Sequence, residues 1–195
     1  MIRLTQFAQQ RIGDVLPTGG FAVDATAGNG HDTLFLARRV GSSGRVIAID
    51  NQPSAIENTR KKLADESVEN VELILGNHAD LRTWIPENHR CAVGAVMFNL
   101  GYRPGGDEQH TTQADSSVLA IDAAIDVLSD DGLITVLAYP GHPAGTREMQ
   151  AITDAIEVWA LRERISWERI DVQHPSERTP VLFLIEKRKP RVCSN

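Results

Sequence analysis

The sequence predicts an α/β fold: an open, mostly parallel seven-stranded sheet with an antiparallel C-terminal strand pair and helices on both faces. Short apolar runs alternate with longer segments of helical periodicity, which is typical of parallel strands joined by crossover helices. The run at residues 92–98 is almost unbroken apolar, as in a strand covered on both faces. The last two strand-like runs are too close in sequence to hold a helix between them, so they must pair antiparallel.

Five strands are predicted before that pair, at residues 21–26, 45–50, 70–75, 92–98 and 132–139. Apolar residues at helical spacing predict helices at residues 32–40, 54–64, 116–128 and 145–165. Gly41 is a stop signal after the first helix, and residues 130–132 (Asp-Asp-Gly) are one after the third. The C-terminal pair is predicted at residues 167–173 and 181–187, joined by a polar loop.

Length and composition predict one domain over residues 1–195, since a single core suffices at this size. The chain is 42% hydrophobic and 24% charged, which excludes a disordered protein, and no apolar run is long enough for a membrane span. Cys91 and Cys193 form neither a disulfide framework nor a zinc site, so we expect no metal centre and a reducing, cytoplasmic location. The net charge of -6 gives no general attraction for nucleic acid.

A glycine-containing turn follows the first predicted strand. Gly28 and Gly30 allow a sharp turn and leave room for a ligand to lie on the backbone. Asp50 ends the second strand, where a carboxylate can accept hydrogen bonds from both hydroxyls of a ribose, each worth about 1.5–3 kcal/mol. These features predict a nucleoside cofactor across the strand ends. The alternative is a structural turn that binds no ligand.

The charges around this turn favour S-adenosylmethionine over a dinucleotide. The dinucleotide fingerprint requires a third small residue at the position of Thr33, and a pyrophosphate prefers bare backbone donors. Asp24 and Asp32 would repel a pyrophosphate, whereas S-adenosylmethionine carries an ammonium and a sulfonium. An NAD enzyme stays as an alternative, although no hydride-transfer site is evident.

Three blocks, at residues 23–37, 97–107 and 139–142, resemble the YtqB-like putative rRNA methylase family. The resemblance implies a Rossmann-like class I methyltransferase domain that uses S-adenosyl-L-methionine and releases S-adenosyl-L-homocysteine. Members of the family are tRNA methyltransferases that convert 5-aminomethyl-2-thiouridine to 5-methylaminomethyl-2-thiouridine at the wobble position. The resemblance thus implies a tRNA anticodon stem-loop as substrate and a possible homodimer. An rRNA methyltransferase, a small-molecule amine methyltransferase and a non-catalytic nucleotide-binding module stay open.

Three residues are candidates for the acceptor side. Asn99 and Tyr102 keep the spacing of the Asn-Pro-Pro-Tyr signature of amino-methyltransferases, with Leu100 and Gly101 in place of the prolines. Asn99 can accept a hydrogen bond from an amine, and Tyr102 can stack on the base or contact a cation. His142 is the candidate proton acceptor or substrate-binding residue. The alternatives are a turn cap, a packed ring and a structural histidine.

The remaining candidates contact the cofactor. Asn77 and His78 follow the third strand, where the side chain can lie near the adenine or cap a helix that begins near Ala79. Gln52 follows Asp50 and can reach the ribose or adenine edge. The full set of predicted cofactor-binding residues is Asp24, Thr26, Gly28, Asn29, Gly30, Asp32, Thr33, Asp50, Gln52, Asn77, His78 and Asn99.

Overall fold

The structure is a computed structural model that describes residues 3–101, 114–172 and 179–188. Its strands are β1 (Phe21–Asp24), β2 (Arg45–Asp50), β3 (Val71–Leu75), β4 (Val93–Leu100), β5 (Leu128–Ala138), β6 (Ile165–Ile170) and β7 (Val181–Lys187). Its α-helices are α1 (Leu4–Val15), α2 (His31–Val40), α3 (Pro53–Asp65), α4 (Leu81–Trp84), α5 (Ala114–Val127) and α6 (Pro143–Leu161). Short 3-10 turns lie at His78–Asp80 and Glu87–His89.

All seven strands form one sheet in the order β3-β2-β1-β4-β5-β7-β6. The first five are parallel, and β7 runs antiparallel to both β5 and β6. The predicted fold class is therefore confirmed. The strand order reverses between β1 and β4, and in open sheets of this kind ligands bind outside the carboxyl ends of the strands at that point.

The sheet is covered on both faces because its central strands are apolar on both sides. On one face, Phe98 packs with apolar residues of α5 and α6. On the other face, Ala22 of β1 and Met97 of β4 pack with apolar residues of α1 and α2. Side chains alternate along a strand, so Asp24 and Asn99 emerge on the same face as Ala22 and Met97. Two polar side chains therefore meet where α1 and α2 cover the carboxyl end of the sheet.

The element boundaries differ from the prediction at several ends. Helix α1 was not predicted, although Leu4, Ala8 and Ile12 form its buried stripe. Helix α6 was expected to reach residue 165 but ends at Leu161, because Glu163 adopts a left-handed φ of 55° that stops the helix. Strand β4 runs two residues past the predicted end, to Leu100, and β5 begins at Leu128 instead of residue 132.

Strand β1 ends at Asp24, two residues before its predicted end, so the glycine turn begins at Ala25. Strand β6 is displaced toward the N-terminus relative to its predicted range, and residue 173 lies outside the described part of the chain. Among the helices of the described ranges, none combines the length and the apolar character that a membrane crossing demands.

Candidate functional site

The turn after β1 is fixed by backbone hydrogen bonds to the strands on either side. The Ala25 N–H donates to the carbonyl of Met97 in β4 at 2.9 Å, and the Ala27 N–H donates to the carbonyl of Ile49 in β2 at 2.9 Å. Because both neighbours hold it, the turn leaves the sheet at a defined position between the carboxyl ends of β2 and β4.

The two glycines of the turn are needed for different steric reasons. Gly28 and Gly30 both adopt left-handed backbone angles, with φ of 54° and 74°. A Cβ on Gly30 would lie 3.0 Å from the Thr59 Cα, so Gly30 permits the close packing of α3. A Cβ on Gly28 would meet only the Thr26 carbonyl oxygen, at 3.7 Å. The backbone at Gly28 is therefore open to a ligand.

Asp50, at the end of β2, is bound to that open turn. Its carboxylate accepts the Gly28 N–H on Oδ2 and the Gln52 N–H on Oδ1, both at 2.9 Å. A carboxylate offers about four acceptor positions, so this half-buried group keeps capacity for further donors. The Asn29 side chain instead accepts a hydrogen bond from Asn58 of α3 at 3.2 Å, which directs it toward that helix.

Asp24 is a buried carboxyl beneath the turn, with 1% of its surface exposed. It accepts the Thr33 hydroxyl at 2.6 Å and the Thr26 N–H at 3.1 Å. Thr33 is fully buried and its hydroxyl supports the Asp24 carboxyl. Its contact with the cofactor stays a prediction. Thr26 in turn accepts the Asn99 N–H on its hydroxyl at 2.8 Å, which ties the end of β4 to the turn.

Three carboxyl groups converge on this edge of the sheet. Burial, together with the negative charges of Asp32 and Asp50, raises the pKa of Asp24 from 3.8 to about 7. The hydrogen bonds from Thr33 and Thr26 lower this pKa but do not offset the rise. A cation placed here would relieve the repulsion between these groups. The edge is therefore suited to a ligand that carries positive charge.

We expect the Asp24→Asn variant to be more stable than the parent protein at pH 8. The unfolded chain loses the Asp24 proton near pH 4 and the folded chain near pH 7, so the free energy of unfolding falls across this window, by about 4 kcal/mol in total. Asparagine stays neutral and does not incur this loss. Thermal unfolding at pH 5 to 8 measures the effect. Asp130→Asn, at an exposed aspartate, is the control, and an unchanged pH dependence in Asp24→Asn would contradict the assignment.

Asn99 and Asp32 lie side by side above Asp24. The Asn99 Nδ2 donates to Asp32 Oδ2 at 3.5 Å, and Asp32 Oδ1 accepts the Gln9 Nε2 of α1 at 2.8 Å. Both predicted residues are thus brought together, and a third residue, Gln9, was missed. The spacing of the apolar residues in α1 could have predicted a helix, but no sequence signal links Gln9 to a residue 23 positions away.

His78 supports the turn from the other face of the sheet. Its ring lies edge-on to Phe98, with the ring centroids 6.1 Å apart, and its Nε2 is 3.4 Å from the Ser116 hydroxyl. Burial lowers the pKa of His78, against the opposing effects of a hydrogen bond to Ala25 and the charge of Asp50. The lowered pKa favours the neutral ring. The contact of His78 with the adenine stays a prediction.

Asn77 caps the short turn that follows β3. Its side-chain oxygen accepts the Ala79 N–H at 3.0 Å, at the start of the 3-10 turn His78–Asp80. This is the capping interpretation that the sequence left open. A contact between Asn77 and the cofactor stays a prediction.

His142 caps α6 at the carboxyl end of β5. Its Nδ1 accepts the Gly145 N–H at 3.1 Å, and its buried Nε2 has no hydrogen-bond partner within the described ranges. Because Nδ1 is an acceptor, the hydrogen-bond pattern favours the tautomer with its proton on Nε2, which makes Nε2 a donor. The roles of proton acceptor and of substrate-binding residue that the sequence predicts for His142 stay predictions. Tyr102, the other acceptor-side candidate, lies outside the described residues.

Tyr139 is a further aromatic residue at this edge. A Cβ on Gly101 would lie 2.9 Å from the Tyr139 ring, so the glycine lets the ring pack against the segment that follows Asn99. Burial and the negative charge of Asp32 raise the pKa of the Tyr139 hydroxyl. The ring therefore closes the side of the site next to Asp32.

These residues fit S-adenosylmethionine. Asp50 has acceptor capacity that ribose hydroxyls would use beside an open glycine backbone, and the carboxyl groups of Asp24 and Asp32 would supply negative charge near an ammonium and a sulfonium. A pyrophosphate would meet the same carboxylates and be repelled. The donor and acceptor set thus favours the methyl donor over a dinucleotide.

Sequence comparison gives a family match over more than half of the chain. Residues 46–186 match the family model described as "Putative rRNA methylase". Residues 5–81 match the model of protein-L-isoaspartate(D-aspartate) O-methyltransferases. A curated protein from Arabidopsis thaliana, described as "tRNA (mnm(5)s(2)U34)-methyltransferase, chloroplastic", is 39% identical over 148 residues. That match covers 71% of this chain but only 53% of the plant protein, so the chain spans about half of its length.

Solved structures extend the match to nearly the whole chain. A Clostridium thermocellum protein described as a putative rRNA methylase superposes with a TM-score of 0.88 at 36% identity, covering 96% of this chain and 99% of the other. A Streptococcus mutans protein described as a putative methyltransferase, in complex with S-adenosylhomocysteine, gives a TM-score of 0.83 at 28% identity, with the same coverage of 96% and 99%. From its matched sequence and its fold, the chain belongs to the Putative rRNA methylase family of S-adenosylmethionine-dependent methyltransferases.

Proposed function

We propose that this protein transfers a methyl group from S-adenosylmethionine to the exocyclic amine of 5-aminomethyl-2-thiouridine at the tRNA wobble position, giving 5-methylaminomethyl-2-thiouridine. The observation that carries the proposal is Asn99, whose amide lies at the carboxyl end of β4 with its nitrogen directed at Asp32. The description of the plant relative, which names a tRNA wobble uridine, supports this choice of acceptor.

The chemistry explains why a side-chain amide is useful here. An alkylamine has a pKa of about 10.4, so removing its proton at pH 7 requires about 4.6 kcal/mol. When bound, S-adenosylmethionine supplies an electrophilic methyl group next to a positive charge, which favours the neutral amine. The Asn99 oxygen can accept an N–H hydrogen bond from that amine and orient its lone pair. Orientation of this kind supplies much of the rate in a transfer between two bound molecules.

His142 has a matching role on the acceptor side. Its Nε2–H is a buried donor at the carboxyl end of β5, next to the strand that carries Asn99. A carbonyl, thiocarbonyl or phosphate oxygen or sulfur of the acceptor nucleotide would satisfy this donor. In this proposal His142 binds the acceptor, and the amine proton leaves to water.

Nucleoside mass spectrometry tests the proposed acceptor. Undermethylated tRNA, a matching anticodon stem-loop, the free aminomethyl nucleoside and ribosomal RNA are each incubated with the protein and S-adenosylmethionine. We expect the added methyl group on the wobble nucleoside of the tRNA and of the stem-loop. Equal turnover of the free nucleoside would indicate a small-molecule amine methyltransferase, and no transfer to any acceptor would indicate a non-catalytic binding module.

Ribosomal RNA is the second candidate acceptor, because the description of the matching family names it. Methylation of ribosomal RNA alone in the same experiment would favour it over tRNA.

Either RNA has to be bound by local basic residues, since the net charge is -6. Turnover of an RNA acceptor should therefore fall steeply with salt. A homodimer, which the family resemblance implies, stays a prediction for light scattering to test.

A further inference from the structure

Asp32 joins three separate elements at the methyl-transfer edge. It lies in the first turn of α2, where it accepts one hydrogen bond from α1 and one from the end of β4. The donor from α1 is Gln9 Nε2, at 2.8 Å from Oδ1, and the donor from β4 is Asn99 Nδ2, at 3.5 Å from Oδ2. The two donors therefore occupy different oxygens of one carboxylate.

This division fixes the direction of the Asn99 amide. An ionised carboxylate only accepts hydrogen bonds, so the side of Asn99 that faces Asp32 has to be its NH₂ group. The carbonyl oxygen of the same amide then points away from Asp32, as acceptance of an amine N–H requires. If the amide were reversed, two oxygens would face each other, and the amine would meet another donor.

The contact between Asp32 and Asn99 is long, at 3.5 Å. Rotation of the Asp32 carboxylate changes this distance directly, because the rotation moves Oδ2. The terminal torsion of aspartate is soft, with broad wells. The shorter bond from Gln9 holds one oxygen in place, and the position of the second oxygen then follows. Gln9 is itself held by α1, since the adjacent Ala8 belongs to the buried stripe of that helix. The helix thereby transmits its packing to the site.

We propose that Gln9 is a positioning residue, which orients Asp32 so that Asn99 presents its carbonyl oxygen to the acceptor amine. The inference rests on the proposed function for the identity of the acceptor. Gln9 does not itself contact the reacting amine; it acts through Asp32 and Asn99. Through Gln9, helix α1 contributes to the reaction as well as to the hydrophobic core.

The test compares Gln9→Met with Gln10→Met. Methionine keeps the length of the side chain and removes the amide, and Gln10 is the exposed neighbour on the same helix, with no hydrogen bond to Asp32. For Gln9→Met we expect kcat on undermethylated tRNA to fall about tenfold, as for the loss of one oriented hydrogen bond. The Kd for S-adenosylhomocysteine should rise by a much smaller factor than kcat falls, because Asp32 keeps its carboxylate, and the Tm should fall by only the few degrees expected for one lost hydrogen bond. Gln10→Met should match the parent protein in kcat, Kd and Tm.

A double-mutant cycle separates positioning from a general structural effect. If Gln9 acts through Asn99, adding Gln9→Met to Asn99→Ala should cause no further loss of kcat. The same tenfold loss in both backgrounds would overturn the inference. Gln9→Glu is a second variant, which places an acceptor against Asp32 and should lower kcat at least as much as Gln9→Met.

A measurement without turnover keeps the inference distinct from the proposed function. The side-chain amide resonances of Asn99, assigned from their loss in Asn99→Ala, should shift in Gln9→Met and not in Gln10→Met. Unchanged resonances in Gln9→Met would overturn the positioning role. Failure of the parent protein to methylate tRNA, with the resonance shift present, would instead overturn the proposed function alone.

Discussion

Asp50→Ala is expected to weaken S-adenosylhomocysteine binding at least about 100-fold. Two hydrogen bonds from ribose hydroxyls to a charged acceptor contribute about 1.5–3 kcal/mol each, and alanine removes both. The substitution also removes the acceptor of the Gly28 N–H, which is 2.9 Å from Asp50 Oδ2 and helps to hold the open turn. Titration calorimetry with the purified protein measures the loss.

Two further variants show whether the loss of affinity comes from the Asp50 carboxylate. Asp130→Ala removes the same charge from an exposed position at the opposite end of the sheet, so its Kd should equal that of the parent protein. Asp50→Asn retains one acceptor oxygen and should lose less affinity than alanine. If Asp50→Ala binds as tightly as Asp130→Ala, the ribose does not lie at the end of β2.

Asn99→Ala is expected to lower kcat about 100-fold or more, while the Kd for S-adenosylhomocysteine rises by a much smaller factor because Asn99 is one of several predicted cofactor contacts. The side chain is assigned to orient the acceptor amine, and losses of orientation in a bimolecular transfer reach this size. The strand end should stay in place, because the Asn99 backbone N–H donates to the Thr26 hydroxyl at 2.8 Å irrespective of the side chain. Single-turnover methylation of undermethylated tRNA and calorimetry give the two quantities.

Asn58→Ala provides the matched comparison for Asn99. Asn58 is an exposed asparagine of α3 that contacts Asn29, so the same atoms are removed outside the acceptor side. Its kcat should stay close to that of the parent protein. An Asn99→Ala variant that turns over normally, or that loses affinity for S-adenosylhomocysteine in proportion to its rate, would contradict the assigned role.

The sheet and the glycine turn could be predicted because their signals are local. Strand β2 and strand β7 have their predicted bounds, since continuous apolar runs define each of them. The meeting of Asp50 with the turn also follows from the sequence, because both lie at the carboxyl ends of neighbouring parallel strands. Its hydrogen bond to Gly28 confirms that proximity.

Contacts between distant elements could not be predicted in this way. The bond from Gln9 to Asp32 depends on how α1 packs against α2, and the commitment of Thr33 to Asp24 depends on burial. The end of α6 was also hidden, because its left-handed stop residue is Glu163, where a sequence signal would require glycine or asparagine. The sequence thus predicts which residues lie at the carboxyl edge of the sheet, but not which of these residues hydrogen-bond to one another.

A crystal structure of this protein with S-adenosylhomocysteine tests the central claim most directly. The claim is that the nucleoside lies over the open turn with its ribose on Asp50. The structure should show both ribose hydroxyls within about 3 Å of the Asp50 carboxylate oxygens, and the amino-acid end of the ligand on the side of Asp24 and Asp32. A ribose bound away from Asp50, or a ligand that leaves the Gly28 backbone uncovered, would contradict it.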